Sequence, residues 1–342
     1  MINFLMADKR WLLALTWLMV AGAASAAPEM TRVMMQLTPH DSFYGMAFDG
    51  DRGLAIGGPA HGGGFIYSTD DAGETWRERQ FDDERAFMGV ALRGAHALAV
   101  GQEGLVRTRR ADDDWVQHDV PTTERLMNAG ANASGLMVAV GAFGALLVSE
   151  DAGENWHDRA PNWRDFLRDQ AGYSGGEPNL YDVHVSSEGV ISAVGEWGMV
   201  IRSEDAGQSW SMLHFGDPEA GQPDATLFGL HVDATGALIA VGQNGTILRS
   251  TDDGQSWEQV PSGSPANLLS VTGTRDNVIL ASAMRDMVIS RDGGGRWTPL
   301  HVADFTLGWY SGSGAPADGD RLLVAGHSGR IVVIDLAADS SP

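Results

Sequence analysis

Apolar residues in this chain come in short runs separated by Gly- and Asp-rich punctuation, and the punctuation repeats. One kind of run ends in Val-Gly-x-x-Gly: Val100-Gly101-Gln-Glu-Gly104, Val140-Gly141-Ala-Phe-Gly144, Val194-Gly195-Glu-Trp-Gly198 and Val241-Gly242-Gln-Asn-Gly245. Another apolar or alternating segment follows each, such as Thr246-Ile-Leu-Arg-Ser250. Two extended runs around a short Gly-bounded turn read as a β-hairpin. Next comes a fixed polar phrase, Ser/Thr-x-Asp-x-Gly-x-x-Trp, complete at Thr69–Trp76, Ser149–Trp156, Ser203–Trp210, Ser250–Trp257 and Ser290–Trp297. A worn copy ends at Trp115, where Arg110 and Asp112 stand in the Asp and Gly places. The Ser/Thr and Asp side chains suit a tight turn, the Gly allows positive φ, and the Trp opens the next strand with a large apolar face.

A further strand precedes each hairpin and aligns seven times, as Phe43–Phe48, Phe87–Leu92, Leu126–Ala131, Leu180–Val185, Leu227–Val232, Leu268–Gly273 and Thr306–Ser311. Two bulky residues are followed by Gly, Asn, Asp or Ser, and a small third residue suits a crowded strand around a central channel. Four strands per unit and seven units predict an all-β, seven-bladed β-propeller. The last unit lacks the Asp turn and its Trp strand, while Thr31–Leu37 belongs to no unit. The expectation is that this N-terminal strand completes the last blade and removes the open sheet edge.

Residues 1–26 read as a signal peptide: Lys9 and Arg10, an apolar run over 11–23, then Ala24-Ser25-Ala26. Cleavage after Ala26 or Ala27, a start at Met6 and a retained membrane-anchoring helix are the alternatives. Residues 27–342 are then one exported, periplasmic, monomeric propeller with no further membrane segment. There is no Cys, hence no disulfide or thiolate metal site, and no cofactor or metal is expected. A formal net charge of −22 argues against nucleic acid and anionic membranes as partners.

The five repeated Asp–Trp pairs (Asp71/Trp76, Asp151/Trp156, Asp205/Trp210, Asp252/Trp257 and Asp292/Trp297) are structural, because five copies on five blades cannot share one site. His184 and His231 occupy equivalent inner-strand places, read as packing histidines that face neighbouring blades. The loops on the face opposite the Asp turns are the candidate binding surface. Two connections, 157–179 and 211–226, are long, and the first holds Trp163, Arg164, Phe166 and Arg168. Turn tips add Phe143, Glu196, Trp197 and Arg285. Aromatic residues with Arg are the composition of a protein-binding patch; the competing reading has Trp163 and Phe166 tucking the long loop down.

The repeated phrases are Asp-boxes, or BNR repeats. Together with the Val-Gly-x-x-Gly hairpins they make residues 31–336 resemble the photosystem II stability/assembly factor family of BNR-repeat propellers. The resemblance implies a non-enzymatic, exported or lumenal scaffold whose partner is a membrane-associated protein complex. That family is associated with an arginine-rich patch, which has no counterpart among the scattered arginines here. The alternative is an exported sialidase-like glycoside hydrolase, for which Tyr181 beside Asp182, with Tyr44 at the equivalent place, is the nearest nucleophile pair.

Overall fold

The computed structural model describes residues 30–336, except 60–62, 112, 174, 218, 220, 222–223 and 301–307. The signal segment therefore lies outside the described residues. The chain forms seven four-stranded antiparallel sheets, six of them in sequential order from an inner to an outer strand and the seventh finished by the N-terminal strand. Blade one shows the plan, with strands Asp41–Asp49, Arg52–Pro59, Phe65–Thr69 and Arg77–Gln80. The inner strands contact one another in blade order and close between blades seven and one.

The inner strand of blade seven runs Tyr310–Gly314, which corrects the expected 306–311. Every inner strand has a register shift between the first and third residues of its aligned motif, Phe43/Gly45 in blade one and Tyr310/Gly312 in blade seven. Tyr310 is thus the counterpart of Phe43, and both are buried. Gly308 imitated the small third residue of the motif four places too early, ahead of Gly312.

The irregularity puts the third residue of one inner strand against that of the next. A Cβ on Gly89 would collide with the Asn128 backbone, and one on Gly312 would lie 2.9 Å from the Gly45 carbonyl carbon. Where the third residue is polar it bridges blades instead. Asn128 Nδ2 donates to Asp182 Oδ1 at 2.7 Å, the Leu230 N–H donates to Asp182 Oδ2 at 2.7 Å, and Ser270 Oγ donates to Ser313 Oγ at 2.9 Å. Between the blades lie seven apolar clusters, one for each interface of the ring, built mostly from the middle two strands.

The repeated polar phrase makes the same turn each time. In blade three, Ser149 Oγ donates to Asp151 Oδ1 at 2.8 Å and accepts the Gly153 N–H at 2.9 Å. Asp151 also accepts the Asn155 N–H at 2.9 Å, and Trp156 Nε1 donates to the Gly153 carbonyl at 3.0 Å. Trp76, Trp257 and Trp297 bond to the Gly of their own turns, whereas Trp210 donates to the Arg159 carbonyl of the preceding blade at 2.9 Å.

Closure follows the expected route. The N-terminal strand Met30–Gln36 pairs antiparallel with Arg330–Asp335 as the outer strand of blade seven. Glu74, in the first Asp turn, accepts from Arg32 on that strand at 2.9 Å and from Arg321 of blade seven.

Candidate functional site

The second residue of the motif faces the central space in every blade, and Tyr44 also packs against the cluster between blades one and two. Tyr44, Met88, Met127, Tyr181, Phe228 and Leu269 are all half-buried and line a channel with a cavity of about 680 Å³; Ser311 is the seventh. Trp309 stacks on Tyr44 with centroids 5.8 Å apart, and Tyr181 meets Phe228 edge-on at 5.0 Å. Deeper along the strands the lining turns polar, with His184, His231 and Thr272, then Arg93 and Arg275 at the far end.

Both histidines face this one channel, correcting the expectation that they face neighbouring blades. The inner strands lie nearest the axis, so equivalent positions share a single space. Burial, aided by the charges of His231 and Arg93, lowers His184 to about 4. His231 is likewise lowered to about 4 by burial, with Asp233 opposing. Burial pushes the Asp182 carboxyl up to about 7, against the pull of the Leu230 and Val183 N–H groups. Among the described residues no three His, Cys, Asp or Glu side chains converge as a metal site.

On the face of the Val-Gly-x-x-Gly turns, the structure gathers most of the expected patch over blades three and four. Asn179 links two turn tips: its Oδ1 accepts the Phe143 N–H at 3.1 Å, and its own N–H and Nδ2 donate to Glu196 at 2.9 and 3.0 Å. Glu196 thereby braces its turn to the entry of the inner strand, as Gln102 does by accepting the Ala86 N–H and Gln243 by accepting that of Thr226. Trp197 packs between Tyr173 and Phe215, with centroids 5.7 and 6.1 Å away. The long connection folds into a short helix, Trp163–Leu167, whose N-cap Asn162 accepts the Asp165 N–H.

Trp163 is only 5% exposed; its indole donates to the Gly144 carbonyl at 3.1 Å, and Phe166 packs on it edge-on. These two side chains hold the loop down. Arg164 on this helix and Arg168 at its C-cap are exposed, and Phe143 is 63% exposed with φ 51°. Phe143, Trp163, Arg164 and Tyr173 line one groove of about 990 Å³. Arg285 is exposed at the corresponding tip of blade six, where its N–H donates to the Gly308 carbonyl, and the groove does not include it.

The architecture has close counterparts among solved structures. YCF48 with a bound D1 peptide matches at a TM-score of 0.67 and 18% identity, over 92% of this chain and 98% of that one. YCF48 from Cyanidioschyzon merolae matches at 0.66 and 17%, over 91% and 99%. A GH74 xyloglucanase from Xanthomonas campestris matches at 0.67 and 17%, over 92% of this chain but 55% of that one. No family model and no curated protein matches the sequence. At these identities the likeness is one of fold.

The sequence pattern does not single out the channel lining, because both bulky residues at the head of each inner strand repeat together. The first of the pair fills the blade interface and the second faces the axis. Ser311 carried a signal, since it shows that this place does not need bulk for packing.

Proposed function

We propose that this protein is a non-enzymatic, exported scaffold that assists the assembly of a membrane-associated protein complex, binding its partner through the face over blades three and four. The observation that carries the reading is the exposed phenyl ring of Phe143 at the rim of a groove flanked by Arg164 and Tyr173. A large apolar side chain held at positive φ on a turn tip has no packing role in the blade, and aromatic and Arg residues around a groove make a protein-binding hot spot. The YCF48 fold, one example of which carries a bound peptide, supports the same reading, as does the resemblance of the Asp-turn blades to photosystem II assembly factors. We further propose that the protein acts as a monomer in the periplasm.

Residue-specific crosslinking from position 143 in native envelope tests this. The expected result is a reproducible membrane-complex partner whose yield falls about tenfold in Phe143→Ala/Arg164→Ala, in line with the loss of a hot-spot pair. An unchanged partner profile in that variant overturns the assignment of the face. Glycoside hydrolysis is the competing activity: Asp182 accepts three N–H groups, from Asn128, Val183 and Leu230, which employs it as a brace between blades. Turnover of a glycan substrate that is lost in Tyr181→Phe would replace the scaffold reading with the enzymatic one.

A further inference from the structure

The channel collar presents a second feature, independent of the face that binds the partner. In a closed ring of seven, blades seven and one lie across the axis from blades four and five. The Tyr44–Trp309 stack therefore faces the Tyr181–Phe228 pair across the channel. Met88 and Met127 form one flank between them and Leu269 the other. Their half-buried surface is presented to the channel, and the blade interfaces are filled instead by the residue just before each one, such as Phe43, Phe87 and Leu227. Opposed aromatic walls with polarizable thioethers on the flank favour a flat conjugated body.

The collar also carries hydrogen-bond donors. The hydroxyls of Tyr44 and Tyr181 and the indole N–H of Trp309 have no acceptor among the described residues. Two phenols and an indole offer three O–H or N–H groups to a ligand's acceptor oxygens. No charged side chain stands at the second inner-strand position in any blade. The cavity of about 680 Å³ falls within the range of small-molecule sites.

We propose that the central channel is a binding site for a flat, conjugated, uncharged small molecule bearing carbonyl-type acceptor oxygens, held between the two aromatic pairs. The ring body lies in the Tyr44/Trp309 and Tyr181/Phe228 collar, and its oxygens accept from the tyrosine hydroxyls and the indole. Below it, His184 and His231 separate the collar from Arg93 and Arg275 at the far end of the channel.

The neutral naphthyl ketone Prodan tests this directly on the purified protein. Saturable binding of one probe per chain is expected, with blue-shifted emission and quenching of tryptophan fluorescence. Phe228→Ala and Trp309→Ala each weaken binding by about fivefold to tenfold, the worth of an aromatic contact. Tyr44→Phe/Tyr181→Phe keeps the collar and removes its hydroxyl donors, so binding persists while the emission moves further to the blue. Leu269→Trp and Met127→Trp plug the collar from opposite flanks, and each abolishes binding while leaving the urea midpoint close to that of the parent. Absence of saturable binding to the parent protein overturns the proposal. So does probe binding that survives both plugging variants, which places the probe elsewhere.

Discussion

At the scale of single residues, the ring is governed by a belt of third positions on the inner strands. Gly89 touches Asn128 so closely that even a methyl group has no space. Gly89→Ala should therefore cost about 1–3 kcal/mol, the range for overpacking a tight core, read as a lower urea midpoint with an unchanged slope. Titration of the channel gives a sharper test. The folded-state values of His184 and His231 lie below the ordinary imidazole value, so these residues contribute stability at neutral pH that is lost as the pH falls from about 6.5 towards 4. Asp182 behaves oppositely: its folded value of about 7 lies above the ordinary carboxylate value, so stability falls as pH rises from about 4 to 7. Acidification over that window should destabilise the parent, where two histidines outweigh one carboxyl. In His184→Gln/His231→Gln this acid destabilisation should weaken, leaving Asp182 opposed by His96 and His214, which burial also lowers, as checked by urea midpoints at both ends of the window.

At the scale of elements, the Asp turns behave as a set. Asp71, Asp151, Asp205 and Asp252 are all lowered to about 2, first by the side-chain hydrogen bond from Thr75, Asn155, Ser209 and Ser256 respectively. Because each folded value lies below the ordinary carboxylate value, these turns contribute stability that is present above about pH 4 and lost as the pH falls through about 2. Changing all four to Asn should flatten the acid limb of a stability–pH curve between those values and leave the limb above it unchanged. These turns were legible in the sequence because the Ser/Thr, Asp and Gly bonds at their heart are local, made within one short phrase. So were the hairpins, whose Gly spacing repeats. The helix at 163–167 was not, because it is a single turn held by contacts to Gly144 that belong to another turn. The same contacts put Trp163 inside the fold while its neighbour Arg164 stays outside, a distinction that composition alone does not carry.

At the scale of the whole molecule, stability rests on the closure of the ring. The strand Met30–Gln36 covers the edge of Arg330–Asp335, with the Leu37 N–H bonded to the Gly329 carbonyl at 3.1 Å. Removing residues 30–37 should expose that edge and produce concentration-dependent aggregates, visible by light scattering. The ring as a whole was readable from the sequence because its period is long and regular, while the channel was not, because it is formed by seven residues that are distant in the chain. Closure also has an order in time. The strand that emerges first from synthesis pairs with the strand that emerges last, so no partly made chain can complete the circle. Until the final blade arrives, the first strand is an unsatisfied ribbon, and its pairing is the slow, long-range step of the whole process. For the export proposed above, a chain threaded across a membrane from its N-terminus would be kept from locking shut until the entire propeller had passed through.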